Sequence, residues 1–255
     1  DRVPVRENEW DNRHFWRVSN AEHLAMSEDC GIVNLTHFYM FDVEGPDHVA
    51  LLEWLCAAKI GGDANIGKGI YTHFLDDEGM VRADLTVIRM ADRCRVIDGA
   101  DAGPRDFHYV KRIAEDKGFD VTVTDVTEKN ITIGIWGPNA RTTLQKVVED
   151  PAGLAPEAFP FAAIKPIRIA GRQVTAFRIS YVGEQGWELH MRYEDGLAVW
   201  DALRSTGVMA FGVETYANSR RMEKSLRLQN ADLLTEYNLI EADLARPKVK
   251  EADFR

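Results

Sequence analysis

Two stretches of this chain share one pattern: Phe41-Asp-Val-Glu-Gly-Pro-Asp47 and Ile133-Gly-Ile-Trp-Gly-Pro-Asn139. Each reads as a strand that turns through Gly-Pro into a helix, because proline suits a first helical turn, where its missing N–H is not needed. After the first comes a helix with Leu51, Leu52 and Leu55 on its buried stripe, then a hairpin over 70–90, then a helix over 104–117. After the second comes a helix with Leu144 and Val147 inward, then a hairpin over 173–191, then a helix over 194–204. The chain therefore reads as two related strand–helix–hairpin–helix units. The competing reading is coincidence, since Gly-Pro is common where a strand meets a helix and the halves share few other identities. With 255 residues the chain suffices for one large domain or two entwined smaller ones.

Other signals fill in the elements. Ser19-Asn-Ala-Glu22 has the capping-box pattern and predicts a helix starting there and ending at Gly31. Residues 32–43, 93–98 and 121–126 read as extended. Val81 to Arg89 pairs with 70–75 around Asp76-Asp77-Glu78-Gly79, and Gly118 fits the cap of the helix before it.

Composition limits the function classes. A hydrophobic fraction of 45% suits a globular core. No apolar run approaches the roughly 20 residues of a membrane span, and the first ten residues show no signal-peptide pattern. A net charge of -10 argues against sequence-independent nucleic-acid binding. Cys30, Cys56 and Cys94 are scattered and odd in number, which argues against a disulfide framework or a zinc site and for a reducing compartment. We expect no nucleic-acid partner, no membrane partner and no metal. Cytoplasmic residence is expected, with the mitochondrial matrix as the alternative.

Gly62-Asp-Ala-Asn-Ile-Gly-Lys-Gly69 is one residue short of a phosphate-binding loop, lacking the final Ser or Thr, and it follows a helix rather than a strand. A flexible turn is the better reading. The seven histidines show no metal-ligand spacing and read as surface or core-edge residues.

Three charged positions stand out. Asp84 lies in the strand Val81–Arg89, sharing a face with Thr86 and Ile88. A carboxylate there needs a partner if buried, or it is an edge charge that blocks aggregation. Phe177 to Met191 reads as a strand, a tight glycine-bounded turn and a second strand. It gathers Tyr181, Glu184 and Glu188 at one tip, with Trp187 and Leu189 on the opposite face from Glu188 and His190. Arg227, between two leucines, is a natural guanidinium partner for a carboxylate or an anionic ligand. The alternative for all three is a surface salt-bridge set worth about 0–1 kcal/mol.

Three segments carry a resemblance. The stretch from Ile70 to Val87, Tyr181-Val-Gly-Glu-Gln-Gly-Trp-Glu188 and Ser225-Leu-Arg-Leu228 resemble, in order and spacing, the aminomethyltransferase (glycine cleavage T-protein) superfamily. Trp10-Asp-Asn-Arg-His-Phe-Trp16 and Gly103-Pro-Arg-Asp106 resemble the folate-binding domains of dimethylglycine and sarcosine dehydrogenases. The resemblance implies an α+β, cloverleaf-like fold of two entwined antiparallel units, here divided as 1–49 with 137–230 and 50–136 with 231–255. It implies that tetrahydrofolate is the cofactor, and FAD only in a separate oxidoreductase domain or subunit.

By the same resemblance, Asp84 is the catalytic aspartate beside the reacting nitrogens. Glu188 pairs with the pterin edge, Arg227 lines the pocket, and Tyr181, Tyr71 and Asp101 complete it. The implied activity is one-carbon transfer from an N-methylated amine or aminomethyl donor to tetrahydrofolate. The alternatives are a folate-dependent S- or O-demethylase and a non-catalytic folate-binding module. The last is disfavoured because the cysteine-bearing segment of such modules is absent. The chain departs from the family at Gln229, where many relatives carry Glu, and at Asp101, where many carry Asn. It stops at Arg255, about where the family's C-terminal barrel begins, so that barrel is expected to be missing and folate binding to be weak.

Overall fold

The computed structural model describes residues 15–245. In chain order the elements are α1 (Trp16–Glu28), β1 (Gly31–Asn34), β2 (Tyr39–Glu44), α2 (His48–Leu55), β3 (Lys68–Leu75), β4 (Val81–Arg89), β5 (Arg93–Asp98) and α3 (Gly103–Lys117). There follow β6 (Thr122–Asp125), β7 (Asn130–Trp136), α4 (Ala140–Gln145), β8 (Ile164–Ile169), β9 (Arg172–Phe177), β10 (Gly186–Arg192), α5 (Gly196–Arg204) and β11 (Met209–Ala210). The fold is α+β. Five strands form one sheet in the order β3-β4-β5-β2-β6, and six form the other in the order β11-β1-β7-β10-β9-β8.

The two sheets repeat one topology, so the two-unit reading holds and coincidence does not. Each unit supplies one strand to the other's sheet. β1 precedes β2 in sequence but pairs with β7, while β6 precedes β7 but pairs with β2. The Gly-Pro turns lock this exchange. Gly45 and Gly137 both have positive φ, 117° and 140°, a region open to glycine. A Cβ on Gly45 would lie 2.6 Å from the Asp120 carbonyl ahead of β6, and one on Gly137 would lie 2.3 Å from the Asp29 carbonyl ahead of β1. Asp47 then accepts from the Asp120 amide at 2.9 Å, and Asn139 donates to the Asp29 carboxylate at 2.9 Å. The shared motif clips the visiting strand in each half.

The sheets divide the chain differently from the sequence-based split at 49 and 136. β2 belongs with 68–125, and β7 with 164–210. The second-half hairpin also shifts. The counterpart of β3–β4 is β8–β9, turning at Ala170-Gly171, whereas β9 and β10 are joined by the long loop 178–185 rather than a tight turn.

Strand alternation gives each sheet two faces. One face of the five-stranded sheet packs Phe41, Val43, Val87 and Val96 against Leu51, Leu52 and Leu55 of α2 and Val110 of α3. One face of the six-stranded sheet packs Ile133, Ile135, Trp187 and Leu189 against Leu144 of α4 and Val199 and Leu203 of α5. Burying each such aliphatic side chain contributes about 1.5–3 kcal/mol. The opposite faces carry the polar residues of interest. The sheets join where a Cβ on Gly69 of β3 would fall 2.1 Å from the Phe177 ring of β9, so only glycine lets that ring close the seam.

The first helix differs from expectation. It begins at Trp16 without a side-chain cap, and Ser19 lies within it. Glu22 does not reach back. It accepts instead from the Gly212 amide at 3.0 Å and the Thr215 hydroxyl at 2.7 Å. The helix ends at Glu28, and Gly31 opens β1. By contrast, α3 ends as expected, with Gly118 left-handed at φ 74°. The residues 62–67 form a turn leading into β3, and Asn65 closes it by donating to the carbonyls of Lys59, Ile60 and Gly61. No helix among the described residues is long and apolar enough to cross a membrane.

Candidate functional site

The hairpin β3–β4 sets His73 opposite Asp84 and Tyr71 opposite Thr86. Alternation then puts Tyr71, His73 and Asp84 on the face away from α2 and α3. His73 Nε2 lies 3.7 Å from Asp84 Oδ1, and the Asp84 side chain keeps 12% exposure. The same imidazole nitrogen is 3.2 Å from the Tyr71 hydroxyl. Asp84 Oδ1 is buried and has no hydrogen-bond partner. Burial pushes the Asp84 carboxyl up to about 7, against the opposing pull of the Tyr71 hydroxyl. Burial pushes His73 down to about 4, so it is neutral at pH 7 and offers Asp84 no counter-charge. Tyr71 is held above the usual phenol range, first by burial and then by the Asp84 carboxylate, although its ring is 48% exposed.

Glu188 stands on β10, buried, on the face opposite Trp187 and Leu189. His190 Nε2 is 3.2 Å from Glu188 Oε2, and the Thr132 hydroxyl is 3.0 Å from His190 Nδ1. Despite that short separation, His190 Nε2 is buried without a hydrogen-bond partner.

Aromatic rings connect the two carboxylates. Tyr216 is buried on the π-helical turn Thr215–Arg220, its ring 5.5 Å from Trp136 and 5.2 Å from Tyr181. Its phenol is held well up, mainly by burial and then by the charges of Glu188, Tyr181 and Asp84. Tyr216 thus lies within electrostatic reach of both sheets' carboxylates. Tyr181 donates from its hydroxyl to the Arg227 carbonyl at 2.6 Å, which ties the loop 178–185 to the segment 225–233.

The remaining expected residues fall in different places. Arg227 makes no ion pair among the described residues. Its Nε donates to the Ala242 carbonyl at 3.2 Å, Nη1 donates to Ser225 at 3.3 Å, and its charge bears on Tyr71. The expected carboxylate partner is therefore replaced by backbone carbonyls. Asp101 is exposed at the rim and accepts from Asn230 Nδ2 at 2.6 Å. Glu184 leaves the expected group around Tyr181 and Glu188, drawn away by an ion pair with Arg220 at 2.9 Å.

Sequence reasoning missed His73, His190, Tyr216 and Gln229. His73 and His190 are 3% and 4% exposed, not surface residues. The alternation that singled out Glu188 also singles out His190 two residues on. Tyr216 and Gln229 lie outside any strand, and no local pattern marks them.

The arrangement offers a carboxyl that titrates near neutrality, a second carboxylate with an imidazole 3.2 Å away, and a tyrosine within electrostatic reach of both. That chemistry suits a ligand with N–H donors at one end and developing positive charge at the other.

Comparisons with known proteins identify the family. A sequence model of the GCVT N-terminal domain matches residues 5–249. Mitochondrial dimethylglycine dehydrogenase of Rattus norvegicus is 32% identical over 237 residues, which is 91% of this chain and 27% of that protein. The aminomethyltransferase of Thermotoga petrophila is 26% identical over 249 residues, covering 96% of this chain and 66% of that protein. The chain thus spans about a quarter of the dehydrogenases it matches. Among solved structures, glycine cleavage system aminomethyltransferase T from Bartonella henselae superposes with a TM-score of 0.74 at 24% identity, over 89% of this chain and 59% of that one, which shows a shared fold. The chain belongs to the GCVT N-terminal domain family.

Proposed function

We propose that this chain catalyses tetrahydrofolate-dependent one-carbon transfer, taking a methylene or methyl group from an N-methylated amine or aminomethyl donor. Family membership and the similarity to aminomethyltransferases and dimethylglycine dehydrogenases support a folate-linked transferase. The observation that carries the reading is the buried Asp84 carboxyl, raised to about 7, whose Oδ1 has no hydrogen-bond partner. A buried polar atom without a partner is costly unless a ligand supplies one.

Tetrahydrofolate supplies the nitrogens that accept the one-carbon unit. The residues of this chain fit it. Glu188, with His190 Nε2 3.2 Å from Oε2 but not bonded to it, keeps acceptors for the paired N–H donors of a pterin edge. Asp84 stabilises positive charge on the transferred carbon when ionised and holds a proton at Oδ1 or Oδ2 when neutral. Tyr71 hydrogen-bonds the Asp84 carboxyl and orients it, and Tyr181 and Tyr216 wall the site. Arg227 and Asp101 sit at the rim of this reading. The electron acceptor for any coupled oxidation would be the flavin of a separate oxidoreductase domain or subunit.

The test is turnover with tetrahydrofolate and a panel of donors: glycine-derived aminomethyl groups, dimethylglycine, sarcosine, and S- and O-methyl compounds. Formation of methylene- or methyl-folate that Asp84→Ala abolishes is the expected result. Unchanged turnover in Asp84→Ala would overturn the mechanism.

A further inference from the structure

Strand β5 pairs with β4 from Cys94–Arg89 down to Asp98–Leu85 and goes no further. At Gly99 the chain turns away. Its amide is held by the Asp98 carboxylate at 2.7 Å, and its carbonyl accepts from Gly103 at 2.8 Å as α3 begins. Two backbone groups of β4 are thereby abandoned on that edge, the Asp84 N–H and the Arg82 carbonyl. Residues two apart in a strand point their peptide groups the same way. A buried N–H must find a partner elsewhere.

Gln229 supplies it. Its Oε1 accepts from the Asp84 amide at 3.0 Å, and its Nε2 donates to the Arg82 carbonyl at 3.3 Å. Arg105 reinforces the second contact, donating to the same carbonyl at 2.6 Å while gripping Asp106. We propose that Gln229 is a positioning residue for Asp84, its side-chain amide taking the place of the residue that a longer β5 would have contributed. This inference rests on the reading of Asp84 as the group that handles the one-carbon unit.

The segment that carries Gln229 is itself fixed. Asn230 takes a left-handed φ of 64° and donates to Asp101 at 2.6 Å. The Leu228 amide donates to Asp232 at 2.9 Å, and Asp232 pairs with Arg221. Asp101 and Asn230 thus anchor one side of the clip, and Asp232 the other.

The residue type matters. A carboxamide presents an acceptor and a donor side by side, and the two β4 groups need one of each. A glutamate of the same size keeps the acceptor and loses the donor. It also adds a negative charge near the Asp84 carboxyl, which disfavours ionisation of that carboxyl. The ionisable groups that face Asp84 are Tyr71 and His73 from β3, Asp98 from β5, Tyr181 from 178–185 and Tyr216 from 215–220. None of them is altered by a change at 229.

The experiment uses the full chain with Gln229→Glu, Gln229→Met and Asp84→Asn. The Asp84 carboxyl is titrated by carbon-13 NMR, with Asp84→Asn assigning the signal, and the pH–rate profile is measured with tetrahydrofolate and an active donor. Gln229→Glu is expected to raise the Asp84 midpoint by about one pH unit and to lower kcat at pH 7 about tenfold with KM within about twofold. Gln229→Met, which keeps volume but neither bond, is expected to lower kcat about tenfold with a smaller change of midpoint. An Asp84 midpoint within about 0.2 units of wild type in Gln229→Glu, with kcat within about twofold in both variants, overturns the proposal. Full turnover in Asp84→Asn would overturn the functional reading alone, and the carboxyl titration would still decide whether Gln229 governs Asp84.

Discussion

Asp84 and Glu188 occupy comparable places, each on an inner strand of its own sheet and facing away from that sheet's helices, yet their surroundings differ. On the six-stranded side, Thr132 bonds His190 Nδ1, and His190 Nε2 lies 3.2 Å from a Glu188 oxygen without a hydrogen bond to it. On the five-stranded side, the nearest imidazole is neutral His73 at 3.7 Å, and Asp84 Oδ1 is buried without a hydrogen bond. A carboxylate with an imidazole 3.2 Å away is suited to hold a fixed donor pattern. One left under-satisfied, with its carboxyl raised to about 7, is suited to exchange a proton or meet a transient positive charge. On the proposed reading, the same topology, used twice, carries a recognition group in one half and a reactive group in the other.

The contrast can be broken at several points. The largest effect is expected from Asp84→Asn, which keeps size and removes charge. Turnover should fall by about 10²–10⁴-fold, and wild-type turnover should rise with pH through about 7 as Asp84 ionises. A flat profile between pH 5 and about pH 9 would contradict the assignment.

The same substitution should improve stability at alkaline pH. The folded-state value of Asp84 lies above its ordinary 3.8, so the stability it contributes is present below about pH 4 and lost as pH rises through about 7. Relative to wild type, Asp84→Asn should gain up to about 4 kcal/mol between pH 4 and pH 8 in denaturant melts. A constant difference across that range would show that Asp84 is not strained by ionisation.

Glu188→Gln should act on binding. Losing the charge on a ligand hydrogen bond costs about 1.5–3 kcal/mol, so the Kd for tetrahydrofolate should rise about 10- to 150-fold with kcat little changed. Thr132→Val is expected to do least. It frees the His190 tautomer and should cost about 0.5–1.5 kcal/mol in the same binding measurement, with no shift in the pH–rate midpoint.

The sequence made part of this legible for definite reasons. The hairpin β3–β4, helix α3 with its Gly118 cap and the buried stripe of α2 are encoded within a few neighbouring residues. So is the facing of Asp84 and Glu188, because strand alternation is a local rule. The repeated Gly-Pro turns announced two units, but not that β1 and β6 change sheets. That exchange depends on Gly45 meeting Asp120 and Gly137 meeting Asp29, contacts between residues far apart in sequence. Glu22 matched a capping box and was claimed by Thr215, and Glu184 matched a polar tip and was claimed by Arg220. In each case a distant partner outcompeted a plausible local one. In the sequence Gln229 is only a departure from its relatives; its bonds to β4 depend on β5 stopping at Asp98, a non-local fact.

The division of labour between the two carboxylates is tested most directly by calorimetric titration of tetrahydrofolate into wild type, Asp84→Asn and Glu188→Gln at pH 7. The account predicts that Glu188→Gln weakens binding at least about tenfold while Asp84→Asn stays within about threefold of wild type. Equal affinities in all three, or a loss confined to Asp84→Asn, would contradict it.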